Sequence, residues 1–63
     1  MNWQSERAGR YTAEANGHRY TVQRGLGRHD GWMVTADGQW VGRRHLLAHA
    51  KALAERHAAK VRS

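Results

Sequence analysis

The chain has 63 residues and no cysteine, which leaves room for one small core and excludes disulfides and thiolate metal sites. Eleven Lys and Arg against five Asp and Glu give a formal charge of +6, a balance that favours anionic partners: nucleic acid, an acidic protein surface or an anionic membrane. No apolar run approaches the length of a membrane span, and the first residues lack the apolar stretch of a secretion signal, so the expectation is a cytoplasmic protein.

Among the cations only Lys51 and Lys60 are lysines. Arginine is the better fork for phosphates and guanine edges. GC-rich coding produces the same bias, so both explanations stay open. A domain this small buries only about 60% of its unfolded surface. Its five aromatic residues, Trp3, Tyr11, Tyr20, Trp32 and Trp40, must therefore supply much of the core.

Residues 1–9 are polar apart from Trp3 and read as a partly ordered arm, with Trp3 folded back onto the domain that spans residues 10–63. Asn16-Gly17 then predicts a two-residue hairpin turn between residues 11–15 and 18–24. That turn sets Ala15 opposite His18, Glu14 opposite Arg19, Ala13 opposite Tyr20 and Tyr11 opposite Val22. Tyr11, Ala13, Tyr20 and Val22 form the core face. Thr12, Glu14, Arg19, Thr21 and Gln23 form the open one.

Gly25, Gly27 and Gly31 punctuate a flexible connector that carries Arg24, Arg28 and His29. It opens no helix and so does not read as a nucleotide-cofactor loop. Asp37-Gly38 predicts a second hairpin, pairing Val34 with Val41 and Thr35 with Trp40. Its valine face belongs to the core, which leaves Met33 and Trp40 on the open face. A slip by one residue would invert the assignment and bury Trp40.

Residues 45–61 predict the single helix, with Leu46, Leu47, Ala50, Leu53, Ala54, His57 and Val61 on the stripe facing the sheet. His45, His49, Arg56 and Lys60 make one polar flank; Lys51, Glu55 and Arg62 make the other. Ala48, Ala52 and Ala59 form an outer strip that is either a homodimer or partner surface, or simply good helix former in water. The expected fold is α+β: a small antiparallel sheet of two hairpins, ββββ, with one C-terminal helix packed on one face.

Gly42-Arg43-Arg44-His45 stands where a helix start would carry a polar cap and acidic residues. Guanidiniums beside free backbone N–H groups there would bind phosphate or carboxylate, unless the arginines simply extend into water. His45 and His49 are half a zinc site without a third ligand, and His57 reads as a core histidine, so no metal is expected. No cofactor or enzymatic activity is expected either, because no nucleophile, base and orienter come together.

The string Gly31-Trp32-Met33-Val34, Asp37-Gly38-Gln39-Trp40-Val41-Gly42 and then His45-Leu46-Leu47-Ala48-His49-Ala50-Lys51-Ala52-Leu53-Ala54-Glu55 resembles small proteins of phages that infect high-GC Gram-positive bacteria. The resemblance covers about residues 10–59 and implies a setting, the bacterial host cell, rather than an activity. A looser similarity, of architecture alone, is to AP2-like and integrase arm-binding domains. It implies DNA read by the open face of a short sheet.

Together these features point to a non-catalytic nucleic-acid-binding module, with DNA as the expected partner. Its contact residues would be Arg19, Arg24, Arg28, Trp40, Arg43, Arg44 and His45. The alternative is a protein-interaction module that binds a host or phage protein through Trp40.

Overall fold

The computed structural model describes residues 1–25 and 31–61. Five strands precede one helix: β1 (Gln4–Arg7), β2 (Arg10–Ala15), β3 (His18–Arg24), β4 (Trp32–Ala36), β5 (Gln39–Arg44) and α1 (Leu47–Val61). The strands form one antiparallel sheet in sequence order, with β1 and β5 outermost. The fold is α+β, with one strand more than the two hairpins supply.

Both hairpin turns form because their residues accept left-handed backbone. Asn16 and Gly17 have φ of 56° and 80°, and Asp37 and Gly38 have φ of 51° and 83°, the positive pair of a type I′ turn. The β2–β3 register is the expected one at every pair, from Ala15 against His18 to Tyr11 against Val22. β3 and β4 then pair Val22 with Val34 and Thr21 with Thr35.

The β4–β5 ladder keeps Thr35 opposite Trp40 but brings Gly42, not Val41, opposite Val34. A bulge at Val41 causes the shift. A Cβ at position 42 would lie 2.9 Å from Leu53 Cδ2, so a larger residue opposite Val34 would make the end of that leucine side chain shift. The bulge supplies glycine at that point.

The N-terminal arm is ordered by pairing. β1 runs against β2, with Gln4 opposite Thr12 and Ser5 opposite Tyr11, and an irregularity before Arg7 meets Arg10. Trp3 folds back as expected. It packs against the core, and its Nε1 donates to Glu55 Oε2 at 3.3 Å. The terminal ammonium lies 3.6 Å from the same carboxylate.

The core is thin. Tyr20, Val22 and Val34 from the sheet are sealed under Ala50, Ala54 and Ala58, one helix turn apart. Small residues on that helix face let α1 sit close over β3, β4 and β5. Leu47 and Leu53 are half-buried beside them. Leu46 was expected on this stripe but is 52% exposed, because the helix starts only at Leu47. The side chain of Val61 lies outside the described residues.

Two side-chain bonds tie helix to sheet. Tyr20 Oη and His57 Nδ1 are 2.9 Å apart, their rings edge to face at 70°. Asn16 Nδ2, from the first turn, donates to the Ala58 carbonyl at 3.1 Å. Burial, and then the negative charge of Asp37, hold the Tyr20 hydroxyl above its ordinary pKa. His57 is thus a partnered core histidine, as its place on the stripe implied. Among the described residues no buried side-chain polar atom lacks a partner.

Candidate functional site

Strand alternation assigns each charged residue to one of two faces. The face away from α1 carries three rows set by the register. Arg10, Gln23, Met33 and Arg43 form the first; Thr12, Thr21, Thr35 and Trp40 the second; Glu14 and Arg19 the third. Trp40 stands on this open face, 62% exposed, so the register has not slipped to bury it. An exposed indole on a sheet face offers a partner a large flat ring and an N–H donor.

Charge is distributed unevenly over that face. At the β1–β2 side it is balanced. Arg10 Nε donates to Glu6 Oε1 at 2.7 Å and Nη1 to Gln23 Oε1 at 3.0 Å, while Arg19 stands opposite Glu14. Asp37 closes the end near Arg19. Its Oδ1 accepts the Arg19 backbone N–H at 2.8 Å and its Oδ2 lies 2.6 Å from His18 Nδ1. These bonds, the backbone one first, hold the Asp37 carboxyl below the usual range. On the β5 side Arg43 faces Met33 and pairs with no acid across the strand. The cationic, aromatic part of the open face is therefore its β4–β5 half, at Trp40, Met33 and Arg43.

The proposed helix-entry anion site does not assemble. Arg43 and Arg44 are the last residues of β5, in extended backbone, and α1 begins three residues later. Alternation sends Arg43 to the open face and Arg44 to the helix side. The Arg44 guanidinium bends back to donate to the Arg43 carbonyl at 2.7 Å. His45 sits in the bend before the helix, so the helical i,i+4 spacing that would pair it with His49 does not apply. No group of three metal-ligating side chains occurs among the described residues.

Arg24 also leaves the candidate surface. It pairs with Trp32 on the helix side, its guanidinium 5.7 Å from the indole centroid. Tyr11 tilts against the same indole at 5.9 Å, and Lys51 Nζ lies 4.6 Å from the Tyr11 ring and 6.0 Å from Trp3. Arg24 and Lys51 thus sit within a ladder of rings and cations that closes the β2 side of the core. Arg28 lies outside the described residues.

A second cationic surface was not singled out from the sequence. Beside β5, a groove toward α1 is lined by Val41, Arg44, Leu53, Arg56, His57 and Lys60, and His49 continues it. No carboxylate lines it among the described residues. The signal was present: Arg56 and Lys60 fall on one helix flank, but nothing in the sequence shows that Arg44 joins them.

No family model, curated protein or solved structure matches the chain. Among the described residues no helix is long and apolar enough to cross a membrane.

Proposed function

We propose that this protein is a non-catalytic nucleic-acid-binding module, with DNA as its partner, that works through the β4–β5 half of the open sheet face. One observation carries the reading: Trp40 is 62% exposed on a sheet face, with Arg43 on the same strand, in a chain of charge +6. An indole on an open sheet is a stacking platform for unpaired bases, and the cations around it meet the backbone. Thr21, Thr35 and Gln23 add hydroxyl and amide groups that suit phosphate and base edges. Arg19 contributes at the margin, since Glu14 faces it.

The exposed Trp40 beside Met33 also fits a protein partner of the host or phage, because Trp anchors interfaces. The outer alanines Ala48, Ala52 and Ala59 are exposed and leave a homodimer through α1 open. Fluorescence anisotropy with labelled DNA separates these readings. Trp40→Ala should weaken binding by 1–3 kcal/mol, roughly five- to 150-fold, if a base stacks there. Arg43→Gln should weaken it less and flatten its salt dependence. Unchanged binding in both variants would remove this face from the site.

A further inference from the structure

A shallow concavity lies on the open face beside Trp40. Arg10, Arg19, Thr21, Gln23, Thr35 and Asp37 line it. It begins one strand from the indole, since Thr35 stands opposite Trp40 and Thr21 opposite Thr35. Neighbouring strands lie about 4.8 Å apart, so Thr21 is about 10 Å across the sheet from Trp40.

The two guanidiniums of the concavity differ. Arg10 is engaged on both sides: its Nε donates to Glu6 Oε1 at 2.7 Å and its Nη1 to Gln23 Oε1 at 3.0 Å. The Arg19 side chain is exposed and makes no hydrogen bond or ion pair among the described residues. Its backbone N–H donates to Asp37 Oδ1 at 2.8 Å, and Asp37 Oδ2 lies 2.6 Å from His18 Nδ1. The Asp37 side chain is still half exposed. A carboxylate offers about four acceptor sites, so Asp37 keeps capacity for a further donor.

A phosphate is the wrong guest. Glu6, Glu14 and Asp37 surround the two cations, so the local charge is not positive and an anion gains little there. A neutral base gains from both kinds of group. Guanine answers both: its O6 and N7 accept the two bonds of an arginine fork, and its amino group donates. Adenine sets an amino donor against one arm of the same fork.

We infer, resting on the nucleic-acid reading of the open face, that this concavity selects guanine in the nucleotide next to the one stacked on Trp40. Arg19 reads the O6–N7 edge and Asp37 accepts from the donor edge. Arg43 lies one row beyond Trp40, on the side away from Arg19, and is left for the backbone.

The test uses the full chain and labelled 12-nucleotide oligo-dT strands that carry one central guanine, adenine or 7-deazaguanine, with anisotropy read at low salt. The guanine strand should bind more tightly than the adenine strand by roughly five- to 150-fold, the discrimination of one fork on its matching base. 7-Deazaguanine stacks as a purine but lacks the N7 acceptor, and should lose most of that advantage. Arg19→Gln should bring the guanine-to-adenine ratio to one or below, because a glutamine fork pairs with adenine. The substituted side chain is exposed and the backbone bond to Asp37 survives the change, so circular dichroism should show the variant folded.

Equal affinity for the guanine and adenine strands would overturn the inference. So would a guanine preference that persists undiminished with 7-deazaguanine or in Arg19→Gln. If Trp40→Ala still weakens binding in those cases, the open-face reading stands without the base preference. If the wild-type chain binds none of the strands at low salt, both readings fall together.

Discussion

Replacing Tyr20 by Phe isolates the bond that docks the helix carrying the groove cations onto the sheet. Tyr20 is fully buried, and its Oη lies 2.9 Å from His57 Nδ1. Phe keeps the ring, its volume and its edge contact with the imidazole, and removes only the hydroxyl. A net hydrogen bond stabilises by about 0.5–1.5 kcal/mol. His57 is half-buried, so water can partly replace the lost partner, which places Tyr20→Phe near the middle of that range. For a domain of this size about 1 kcal/mol lowers Tm by roughly 4–8 °C. Total stability at this length is roughly 3–9 kcal/mol, so the variant should fold and melt cooperatively. Tyr20→Ala, by contrast, would cost about 3–5 kcal/mol and threaten the fold itself. The assay is thermal melting by circular dichroism on wild type, Tyr20→Phe, His57→Ala and the double variant. The cycle should return a coupling of about 0.5–1.5 kcal/mol. Additivity within about 0.3 kcal/mol, or a Tyr20→Phe variant as stable as wild type, would refute the bond and the docking it provides.

Three further substitutions probe the frame of the site. Gly31 has φ of +104°, and a Cβ there would stand 2.7 Å from the Arg44 carbonyl oxygen and 3.2 Å from His45 Cα. Gly31→Ala must therefore displace the end of β5, and should cost more than about 2 kcal/mol in melting experiments and weaken DNA binding as the strand end that carries Arg43 moves. Asp37→Asn keeps a residue that tolerates positive φ in the turn and removes the carboxylate charge. Because the folded Asp37 carboxyl lies below its ordinary value of 3.8, its contribution is present above that value and lost as pH falls through the lower folded one. Wild type should therefore lose more stability than Asp37→Asn in that acid window, and parallel acid-unfolding curves would contradict the Asp37–Arg19 bond. Asn16→Gly preserves the turn and deletes the bond to the Ala58 carbonyl, so Tm should drop by a few degrees, in line with one hydrogen bond of about 1 kcal/mol.

The hairpins were legible because Asn16-Gly17 and Asp37-Gly38 are among the few pairs that enter left-handed backbone without strain. Once the first turn was fixed, alternation placed Tyr20 and Val22 inward and Arg19 outward without further information. The same logic put Trp40 and Met33 on the open face. β1 was not legible. Gln4-Ser5-Glu6-Arg7 has neither alternation nor β-branched residues, and its four positions are all exposed. It is held by backbone pairing and by Trp3 gripping the helix, which are tertiary facts.

The helix start was misplaced by two residues, and the site residues near it moved accordingly. Arg43 and Arg44 have no cap signal before them, and the strand continues through both because β4 offers them partners at Met33 and Trp32. Strand alternation then splits them between faces, where a helix entry would have joined them. Arg24 was drawn away by Trp32, a cation–π contact set by β3–β4 register. The groove of Arg44, Arg56 and Lys60 needs the path of α1 past β5, where a bulge sets Gly42 opposite Val34 under Leu53. Nothing local in the sequence encodes that bulge.

The most direct test of the account is the affinity of the unmodified protein for an oligo-dT strand, titrated between about 50 and 200 mM salt, the range in which phosphate contacts reveal themselves. Contacts from Arg43 and, at the margin, Arg19 predict binding at low salt and a log–log slope of about −0.7 to −1.4, at about 0.7 for each phosphate. Weak binding at low salt, or a slope near zero, would contradict the account and leave Trp40 as the anchor of a protein interface.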